Sequence, residues 1–547
     1  MSTPESCVVA GRLAELGHTN LYDLLEQACR DYGDKTAFSC GADSVSFTGL
    51  RERADSFARY LRHDLGLQPG DRLAIQLPNL LQYVVTIFGA LKAGLVIVNT
   101  NPQYTAPETR HQFADSGARA VVVLDRLVPL VRAVQAETAI ERLIVTSVDD
   151  WSNPQLESDE ADVSRFMAAL AKGKTLPAVE PNRGLEDLAV LQYTGGTTGV
   201  SKGAMLTHFN LLCNVLQAVS ILSPGELEYG NEVRVSPLPL YHIFAFTANC
   251  LASVFTGFNS VLITNPRDLD GMIADMQRHR ITLLTGINSL FVSLMAHPKF
   301  DSIDFSQVKW VNSGGAPLNL AVAKRWHERT GSVIREGFGM TETSPVVIAA
   351  TATTPYKEGY IGQAIIDTQL KIVDDAGNEL PSGEPGELLV RGPQVMKGYW
   401  QRPEATAETF TEDGWLKTGD IGVIDEDGFL KLVDRKKDMI LVSGFNVYPN
   451  DVEDAVMRHP GIRECVAVGI PDERKGEAIK LYVSLHDQNL TETDIIAHCR
   501  EQLTGYKVPS FIEIRDDLPK STVGKLLRRV LRDEARAQAA AEAGAGA

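Results

Sequence analysis

Tyr193-Thr-Gly-Gly-Thr-Thr-Gly-Val-Ser-Lys-Gly203 is the stretch that decides the fold. It follows the apolar run 188–191, which predicts a buried strand, and it combines glycines, hydroxyl side chains and Lys202. Glycines let consecutive backbone N–H groups turn toward an anion, while hydroxyls add donors and the lysine adds a positive charge. We therefore predict a polyphosphate-binding loop at the end of a strand. A flexible connection of similar composition is the alternative.

Two common nucleotide-binding patterns do not describe this sequence. A P-loop ends in Gly-Lys-Ser/Thr, but Gly524-Lys525 is followed by Leu526. A dinucleotide fingerprint needs a third glycine, and the run from Gly337 to Glu342 reads Gly-Phe-Gly-Met-Thr-Glu. The loop therefore predicts a nucleoside triphosphate on a different scaffold.

The composition is that of a soluble globular protein, with 44% hydrophobic and 22% charged residues in 547. The net charge of −17 argues against a nucleic-acid partner and against adsorption to anionic lipid through overall charge. Seven cysteines without a Cys-x-x-Cys pair indicate neither a disulfide framework nor a zinc site. Residues 1–20 do not resemble a secretory signal, so we expect a cytoplasmic protein. The most membrane-like window, 81–98, contains Gln82, Lys92 and Gly94 and predicts a helix followed by a strand.

Strand-like and helix-like segments alternate through most of the chain. The predicted strands are 72–77, 95–99, 119–124, 261–264, 281–285, 308–313 and 333–336, and the predicted helices between them lie near 80–92, 268–279 and 318–329. This alternation predicts an α/β fold of parallel sheets covered by helices, with ligands at the carboxyl ends of the strands.

The pattern changes near residue 360, where short strands are separated by turn sequences. We predict a large N-terminal domain over 1–436 with two αβ-layered sheets and a β-rich subdomain at about 360–436. A small mobile α+β domain over 437–547 follows and ends in an Ala/Gly-rich tail.

Four further stretches carry the residue types of a nucleotide site. They are 237–245 with His242, 337–343 with Glu342, 415–420 ending in Asp420, and 519–525 ending in Lys525. Singly they are weak signals, because a lone histidine in an apolar run is more often a core residue and a lone glutamate more often a helix cap.

In their order and spacing, the five stretches resemble the adenylate-forming superfamily, which contains acyl-CoA synthetases, peptide adenylation domains and luciferases. The resemblance covers residues from about 20 to 532. Residues 413–437 are similar to the signature block of fatty acyl-CoA synthetases, and 239–245 and 440–449 resemble the bacterial enzymes for long-chain fatty acids.

The resemblance implies an ATP-dependent fatty acid–CoA ligase. A fatty acid and ATP would give an acyl-adenylate and diphosphate, and CoA would then displace AMP; a medium to long chain is expected. A CoA ligase for another carboxylic acid, or an enzyme that loads an acyl carrier protein, is the alternative. A non-catalytic lipid-binding or uptake protein is a remote alternative, because Glu342, Asp420 and Lys525 are all present.

The resemblance also assigns roles to residues. Lys525, Glu342, Thr341 and His242 are the expected catalytic residues, with Glu342 and Thr198 holding Mg²⁺. The expected ATP contacts are Thr194, Gly195, Gly196, Thr197, Thr198, Gly199, Ser201, Lys202, Gly315, Ala316, Pro317, Gly337, Phe338, Gly339, Asp420 and Arg435. Phe338 would stack on adenine where the family commonly has tyrosine, so stacking is retained and a phenol hydrogen bond is not.

The remaining assignments concern the acyl chain and CoA. An apolar tunnel is required for the chain. Its expected wall is His242, Ile243, Phe244, Phe246, Gly314, Gly315 and Gly337. Lys437 is the expected hinge, and Ser443, Gly444 and Phe445 would contact CoA after the C-terminal domain rotates. The sequence leaves open a homodimer and a peripheral contact with the inner face of the membrane.

Overall fold

The computed structural model describes residues 7–158, 160–194, 200–222, 227–355, 357–443, 445–472, 474–521 and 524–545, with side chains as far as 538. The helices are α1 (Val8–Leu16), α2 (Tyr22–Tyr32), α3 (Phe47–Arg59), α4 (Leu81–Lys92), α5 (Ala106–Ser116), α6 (Val128–Gln135), α7 (Phe166–Gly173), α8 (His208–Ser220), α9 (Ile243–Ala245), α10 (Ala252–Thr256), α11 (Leu269–Arg278), α12 (Asn288–Ala296), α13 (Leu320–Thr330), α14 (Pro403–Thr409), α15 (Pro449–Val456), α16 (Glu492–Gln502) and α17 (Arg528–Ala545). Short π-helical segments are Tyr60–Asp64 and Phe246–Leu251, and 3₁₀ turns are Asp125–Leu127, Phe300–Ser302, Thr341–Thr343 and Gly505–Lys507.

The strands are β1 (Thr36–Cys40), β2 (Asp43–Ser46), β3 (Arg72–Gln76), β4 (Val96–Asn99), β5 (Ala120–Leu124), β6 (Arg142–Thr146), β7 (Val163–Arg165), β8 (Leu188–Thr194), β9 (Lys202–Thr207), β10 (Val233–Ser236), β11 (Asn259–Leu262), β12 (Leu283–Gly286), β13 (Trp310–Gly314), β14 (Ile334–Gly339), β15 (Val346–Ala349), β16 (Gln363–Ala364), β17 (Gln369–Val373), β18 (Gly386–Arg391), β19 (Leu416–Ile424), β20 (Leu430–Arg435), β21 (Ile440–Val442), β22 (Phe445–Val447), β23 (Ile462–Asp472), β24 (Gly476–Leu485) and β25 (Phe511–Ile514).

The first 365 residues contain two large sheets. The first has the order β16-β15-β14-β13-β12-β10-β11-β1-β2, and its strands from β14 to β1 pair in parallel. The second has the order β7-β6-β5-β3-β4-β8-β9, and only β9 among these pairs antiparallel to its neighbour. The predicted class of parallel sheets covered by helices is therefore confirmed.

Helix α4 occupies the window that was most membrane-like in sequence. Its residues from Leu81 to Leu91 are all buried, as expected for a helix that is apolar on every side inside a large core. One continuous core cluster joins Phe88 of α4 to Phe38 and Val235 of the first sheet and to Leu73 and Ile97 of the second. In the part of the chain that the structure describes, no helix combines the length and apolar character needed to cross a membrane.

Two smaller sheets complete the chain. β17, β18, β19 and β20 form an antiparallel sheet, which matches the predicted β-rich segment. The last sheet has the order β22-β21-β24-β23, and β25 pairs parallel to β24. It carries one core cluster with α15 and α16 and another with α17.

Some predicted strand ends were wrong, and the differences affect the site. β14 continues through Gly337 to Gly339, and β19 begins at Leu416. Gly337–Gly339 and Asp420 therefore lie inside strands, where the sequence had placed them after and before a strand. Glycine has a low strand propensity, but here its backbone pairs with Ala349 and Val346 of β15, and this tertiary pairing outweighs the local preference.

Candidate active site

The ends of the predicted phosphate loop are held by backbone pairing and by two side chains. Thr194 at the end of β8 faces Lys202 at the start of β9. The Ser201 hydroxyl donates to the Thr194 carbonyl, and His111 Nε2 lies 2.8 Å from the Ser201 carbonyl oxygen. The assigned residues Gly195, Gly196, Thr197, Thr198 and Gly199 lie outside the described residues. Their contacts with phosphate remain a prediction.

Glu342 and Lys202 meet at one aromatic side chain. Glu342 lies on the 3₁₀ turn after β14, is 8% exposed, and accepts a 2.6 Å hydrogen bond on Oε1 from the Tyr399 hydroxyl. Lys202 Nζ lies 5.0 Å from the centroid of the same tyrosine ring. Thr341 directly precedes Glu342 on this turn. Glu342 and Lys202 therefore lie on either side of Tyr399, although they are far apart in the sequence.

The Glu342 carboxylate has one oxygen available for a metal ion. Among the described residues, Oε2 accepts no hydrogen bond, and no group of three or more His, Cys, Asp or Glu side chains is arranged to hold a metal. Mg²⁺ is usually held by one or two carboxylates together with substrate phosphates and water. A single carboxylate with one fixed and one open oxygen fits that requirement.

Glycines make room where β13 meets β14. Gly314 pairs with Gly337, and a Cβ atom on Gly314 would lie 3.2 Å from the Gly337 carbonyl oxygen and 3.2 Å from Phe244 Cε1. A Cβ atom on Gly339 would lie 2.1 Å from the Pro345 carbonyl oxygen. A larger residue would meet the neighbouring backbone or Phe244, so the glycines allow close packing of the protein at this point.

A cavity of about 120 Å³ lies beside these glycines. Of the residues assigned from sequence to the adenine site or the tunnel, its lining contains His242, Ile243, Phe244, Gly314, Gly315, Gly337, Phe338 and Gly339. Ala316 and Pro317 follow Gly315 in the chain but do not line the cavity. Phe246, which was also assigned to the tunnel, is wholly buried in the core and lies outside the lining.

Asp420 and Arg435 are partners across the antiparallel pair β19 and β20. Arg435 Nε lies 3.5 Å from Asp420 Oδ1. Burial raises the pKa of Asp420, while Arg435 and then Lys525 oppose that rise. The Asp420 carboxylate is thus largely buried beside a cation. This environment suits an acceptor for ribose hydroxyls.

Lys525 reaches the same site from the C-terminal end of the chain. Its pKa is lowered to about 8, chiefly by burial and then by Arg435, while Asp420 acts in the opposite direction. The loop is docked on the start of α12, where the Ser289 hydroxyl donates to the Gly524 carbonyl at 3.2 Å. His242 also lies near Lys525: burial, with a smaller contribution from Lys525, lowers the pKa of the imidazole to about 4. Lys525 therefore lies close enough to Asp420 and His242 to affect the charge of both.

The chain matches the AMP-binding enzyme family over residues 25–400 and the AMP-binding enzyme C-terminal domain over 451–525. It belongs to the AMP-binding enzyme family. Among similar curated proteins, a long-chain-fatty-acid–CoA ligase of Escherichia coli O6:H1 is 48% identical over 95% of each chain. One of Bacillus subtilis is 36% identical over 95% of each chain.

Solved structures of the family agree with this fold. ATP-bound MatB of Rhodopseudomonas palustris has a TM-score of 0.84 at 29% identity, covering 94% of this chain and 98% of its own. The anthranilate CoA ligase AuaEII, in complex with anthranoyl-AMP, has a TM-score of 0.87 at 27% identity, covering 95% of this chain and 98% of its own. An adenylate-forming fold with a large N-terminal and a small C-terminal part is therefore shown.

Ser443 and Phe445, the described residues assigned to CoA, contact other residues of the C-terminal part of the chain. The Ser443 N–H donates to the Lys475 carbonyl at 2.7 Å, and Phe445 stacks on Tyr506 with ring centroids 4.7 Å apart. Phe445 is 55% exposed, and Gly444 lies outside the described residues. The structure thus brings the lysine loop to the nucleotide residues and leaves the described part of the CoA segment on the C-terminal sheet.

The predicted hinge is held by an arginine of α17. Arg532 Nη1 donates to the Lys437 carbonyl at 3.4 Å and to Asp438 Oδ1 at 2.6 Å. The pKa of Lys437 is lowered to about 8, chiefly by burial and then by the neighbouring charge of Arg435. Such contacts stabilise one hinge conformation and can be exchanged for others when the domain rotates.

Two residues at the site were missed from the sequence. Tyr399, which holds Glu342, lies 57 positions away from it, and no local pattern connects the two. Glu336 lies one residue before Gly337 and accepts a 3.1 Å hydrogen bond from the Leu318 N–H, and burial raises its pKa to about 7. Its place directly before the Gly-Phe-Gly run of β14 was a signal that could have been used.

Proposed function

We propose that the protein is an ATP-dependent fatty acid–CoA ligase that forms acyl-CoA, AMP and diphosphate through an acyl-adenylate. The observation that carries this is the cluster of Glu342 and Lys202 around Tyr399, together with the cavity lined by His242, Gly314 and Gly337. The electrostatic effect of Lys525 on Asp420 and His242 supports it. Membership of the AMP-binding enzyme family and the 44–48% identity to curated long-chain-fatty-acid–CoA ligases support it.

In the first half-reaction, a carboxylate oxygen attacks the α-phosphorus of ATP and diphosphate leaves. Negative charge increases on the phosphate oxygens, so fixed positive charge and hydrogen-bond donors lower the barrier. Lys525 would bind the carboxylate and the α-phosphate, Thr341 would donate to the α-phosphate, and Lys202 would hold the β- and γ-phosphates. Asp420 and Arg435 would hold the ribose, with Phe338 against adenine.

Mg²⁺ would rest on Glu342, with Thr198 as its second predicted ligand, and would supply charge neutralisation at the phosphate oxygens. The Tyr399 hydroxyl keeps the Glu342 carboxylate in one orientation. In the second half-reaction the CoA thiol attacks the acyl carbonyl and AMP leaves. For that step we propose that rotation at Lys437 removes Lys525 and brings Ser443, Gly444 and Phe445 to the site.

A substrate panel tests the function. Purified protein with ATP, magnesium and CoA should release diphosphate and AMP with octanoate and palmitate, and should give the corresponding acyl-CoA. Benzoate and an acyl carrier protein are the discriminating substrates, because they represent the alternative ligase and the carrier-loading enzyme. Absence of AMP with every acid would contradict the proposal.

Location and assembly are part of the same proposal. We propose a cytoplasmic enzyme; a peripheral contact with the inner membrane face and a homodimer are the two arrangements to be tested. Sedimentation with anionic and neutral vesicles tests the first arrangement, and light scattering of the purified protein tests the second.

A further inference from the structure

Arg234 is a buried cation on the wall of the active-site cavity. It lies on β10, is 5% exposed, and lines the cavity together with His242 and Phe244. Its Nη1 donates to the Ala248 carbonyl, its guanidinium carbon lies 5.7 Å from the Phe258 ring centroid, and its Nε is buried without a hydrogen-bond partner. Burial alone lowers its pKa to about 10, with no described carboxylate acting to raise it.

The sheet register shows how deep Arg234 lies. Arg234 pairs with Leu283, and Leu283 pairs with Trp310 of β13. Gly314, paired with Gly337, lies four residues further along β13 at the carboxyl edge. A strand rises about 3.3 Å per residue, so the two rows are about 13 Å apart. Residues separated by an even number of positions share a face, so Arg234, Trp310 and Gly314 point to the same side of the sheet.

Apolar side chains form much of the wall near Arg234, although Asn312, Arg335 and Glu336 also line the cavity. Ile221, Leu222, Phe258 and Trp310 form one buried cluster there, and Ile221, Leu222 and Trp310 line the cavity. A saturated chain that ended against this wall would leave the buried Arg234 Nε–H without an acceptor, which is unfavourable. A carboxylate would remove that penalty, because the guanidinium fork matches its two oxygens.

We propose that Arg234 binds a second carboxylate at the far end of the acyl chain, and that the substrates include α,ω-dicarboxylic acids. The backbone rows of Arg234 and Gly314 are about 13 Å apart, a length that about ten carbons cover at ~1.25 Å each along a zigzag of ~1.5 Å bonds, so ten carbons is the first chain length to test. The proposal rests on the ligase function proposed above, because the first carboxylate is the one that becomes activated.

Paired substrates test this proposal. The kcat/KM for CoA-dependent AMP release is measured with decanoate, decanedioate and monomethyl decanedioate, which keeps the shape but not the second charge. Wild type should use decanedioate, and Arg234→Met should lower the decanedioate-to-decanoate ratio roughly 10- to 100-fold. The monomethyl ester should show a much smaller change. Arg234→Gln, which keeps a polar side chain of reduced size, should behave like Arg234→Met.

Arg329→Met is the matched control. Arg329 also donates to a backbone carbonyl and lies 4.2 Å from a phenylalanine ring, but it pairs with Asp301 and lies outside the cavity lining. It should leave the ratio unchanged. If Arg234 only supports the π-helical segment through Ala248, Arg234→Met and Arg234→Gln will lower the melting temperature and both activities together, with a constant ratio, and the proposal is wrong.

If the proposed ligase function itself is wrong, the result is different, because wild type would then release no AMP with any acid. If neither Arg234 variant is folded, the wild-type panel still decides. Decanedioate used no better than its monomethyl ester would overturn the proposal.

Discussion

At the scale of single residues, Lys525 combines burial with a positive charge that the substrates must stabilise. Its ammonium group lies near Asp420 and Arg435, in surroundings that already lower its pKa to about 8. A carboxylate and an α-phosphate would supply the negative charge that this site lacks. The lysine is therefore suited to the adenylation step and has no evident role once the adenylate exists.

We expect Lys525→Met to slow diphosphate release by about 10²- to 10³-fold, as for other single donors of transition-state stabilisation. Formation of acyl-CoA from preformed acyl-adenylate should change by only a few-fold. Lys520→Met is the control, because Lys520 pairs with Glu464 at 2.7 Å in the same segment. Both half-reactions are measured separately by quenched flow, and equal damage to the two would contradict the assignment.

The low pKa of Lys525 also predicts a pH dependence. Burial disfavours the charged form, so the free enzyme loses the protonated lysine as pH rises through about 8. The kcat/KM for diphosphate release should therefore fall above that pH, since this parameter reports the free enzyme. His242, with a pKa of about 4, stays neutral throughout this range.

Lys437 has a pKa of about 8 as well, so the assignment needs a control. The alkaline limb should disappear from the residual activity of Lys525→Met and persist in Lys437→Met. A limb that survives in Lys525→Met belongs to another group.

At the scale of elements, the loop before α17 docks against the start of α12 through a glycine. Gly524 has φ +76°, and a Cβ atom there would lie 2.6 Å from Ile287 Cδ1 and 2.7 Å from Ser289 Oγ. Gly524→Ala should therefore displace the loop and slow adenylation by about 10- to 100-fold, because small misplacements of a catalytic group are costly.

Gly505→Ala is the matched control for this prediction, since a Cβ atom at Gly505 meets nothing within 4 Å. Thioester formation from preformed adenylate should be unchanged in both variants, because it does not use the docked loop. If Gly524→Ala adenylates at the wild-type rate, the docking contact has no catalytic role.

At the scale of the whole molecule, a single short connection joins β20 to β21. Lys437 lies in this connection, and its own N–H makes no hydrogen bond among the described residues. Lys437→Pro should therefore be tolerated in the present arrangement while restricting the rotation of the backbone. We expect diphosphate release within a few-fold of wild type and acyl-CoA formation lowered about tenfold or more.

Lys437→Ala keeps the backbone free and serves as the control for the lost side chain. It should retain both half-reactions. Equal loss of the second half-reaction in Lys437→Ala and Lys437→Pro would mean that the side chain, and not rotation at this position, is required.

Much of the fold was accessible from local patterns. The predicted segments 72–77, 80–92 and 119–124 correspond to β3, α4 and β5 within two residues, because hydrophobic periodicity reflects burial that neighbouring residues share. The extra strand at Gly337–Gly339 was not accessible, since it depends on pairing with β15. The burial of Phe246, the first residue of a π-helical segment, likewise could not be predicted from the local sequence.

The sequence by itself determined the α/β class, the family and the identity of the charged residues, because these depend on short motifs and their order along the chain. Only the tertiary structure decided that Asp420 acts on the charge of Lys525, that Tyr399 holds Glu342, and that Arg234 lines the cavity with its Nε lacking a hydrogen-bond partner. The physical reason is that such contacts join residues far apart in the chain, and that burial, a property of the packed molecule, changes the energy of a charge once it leaves water.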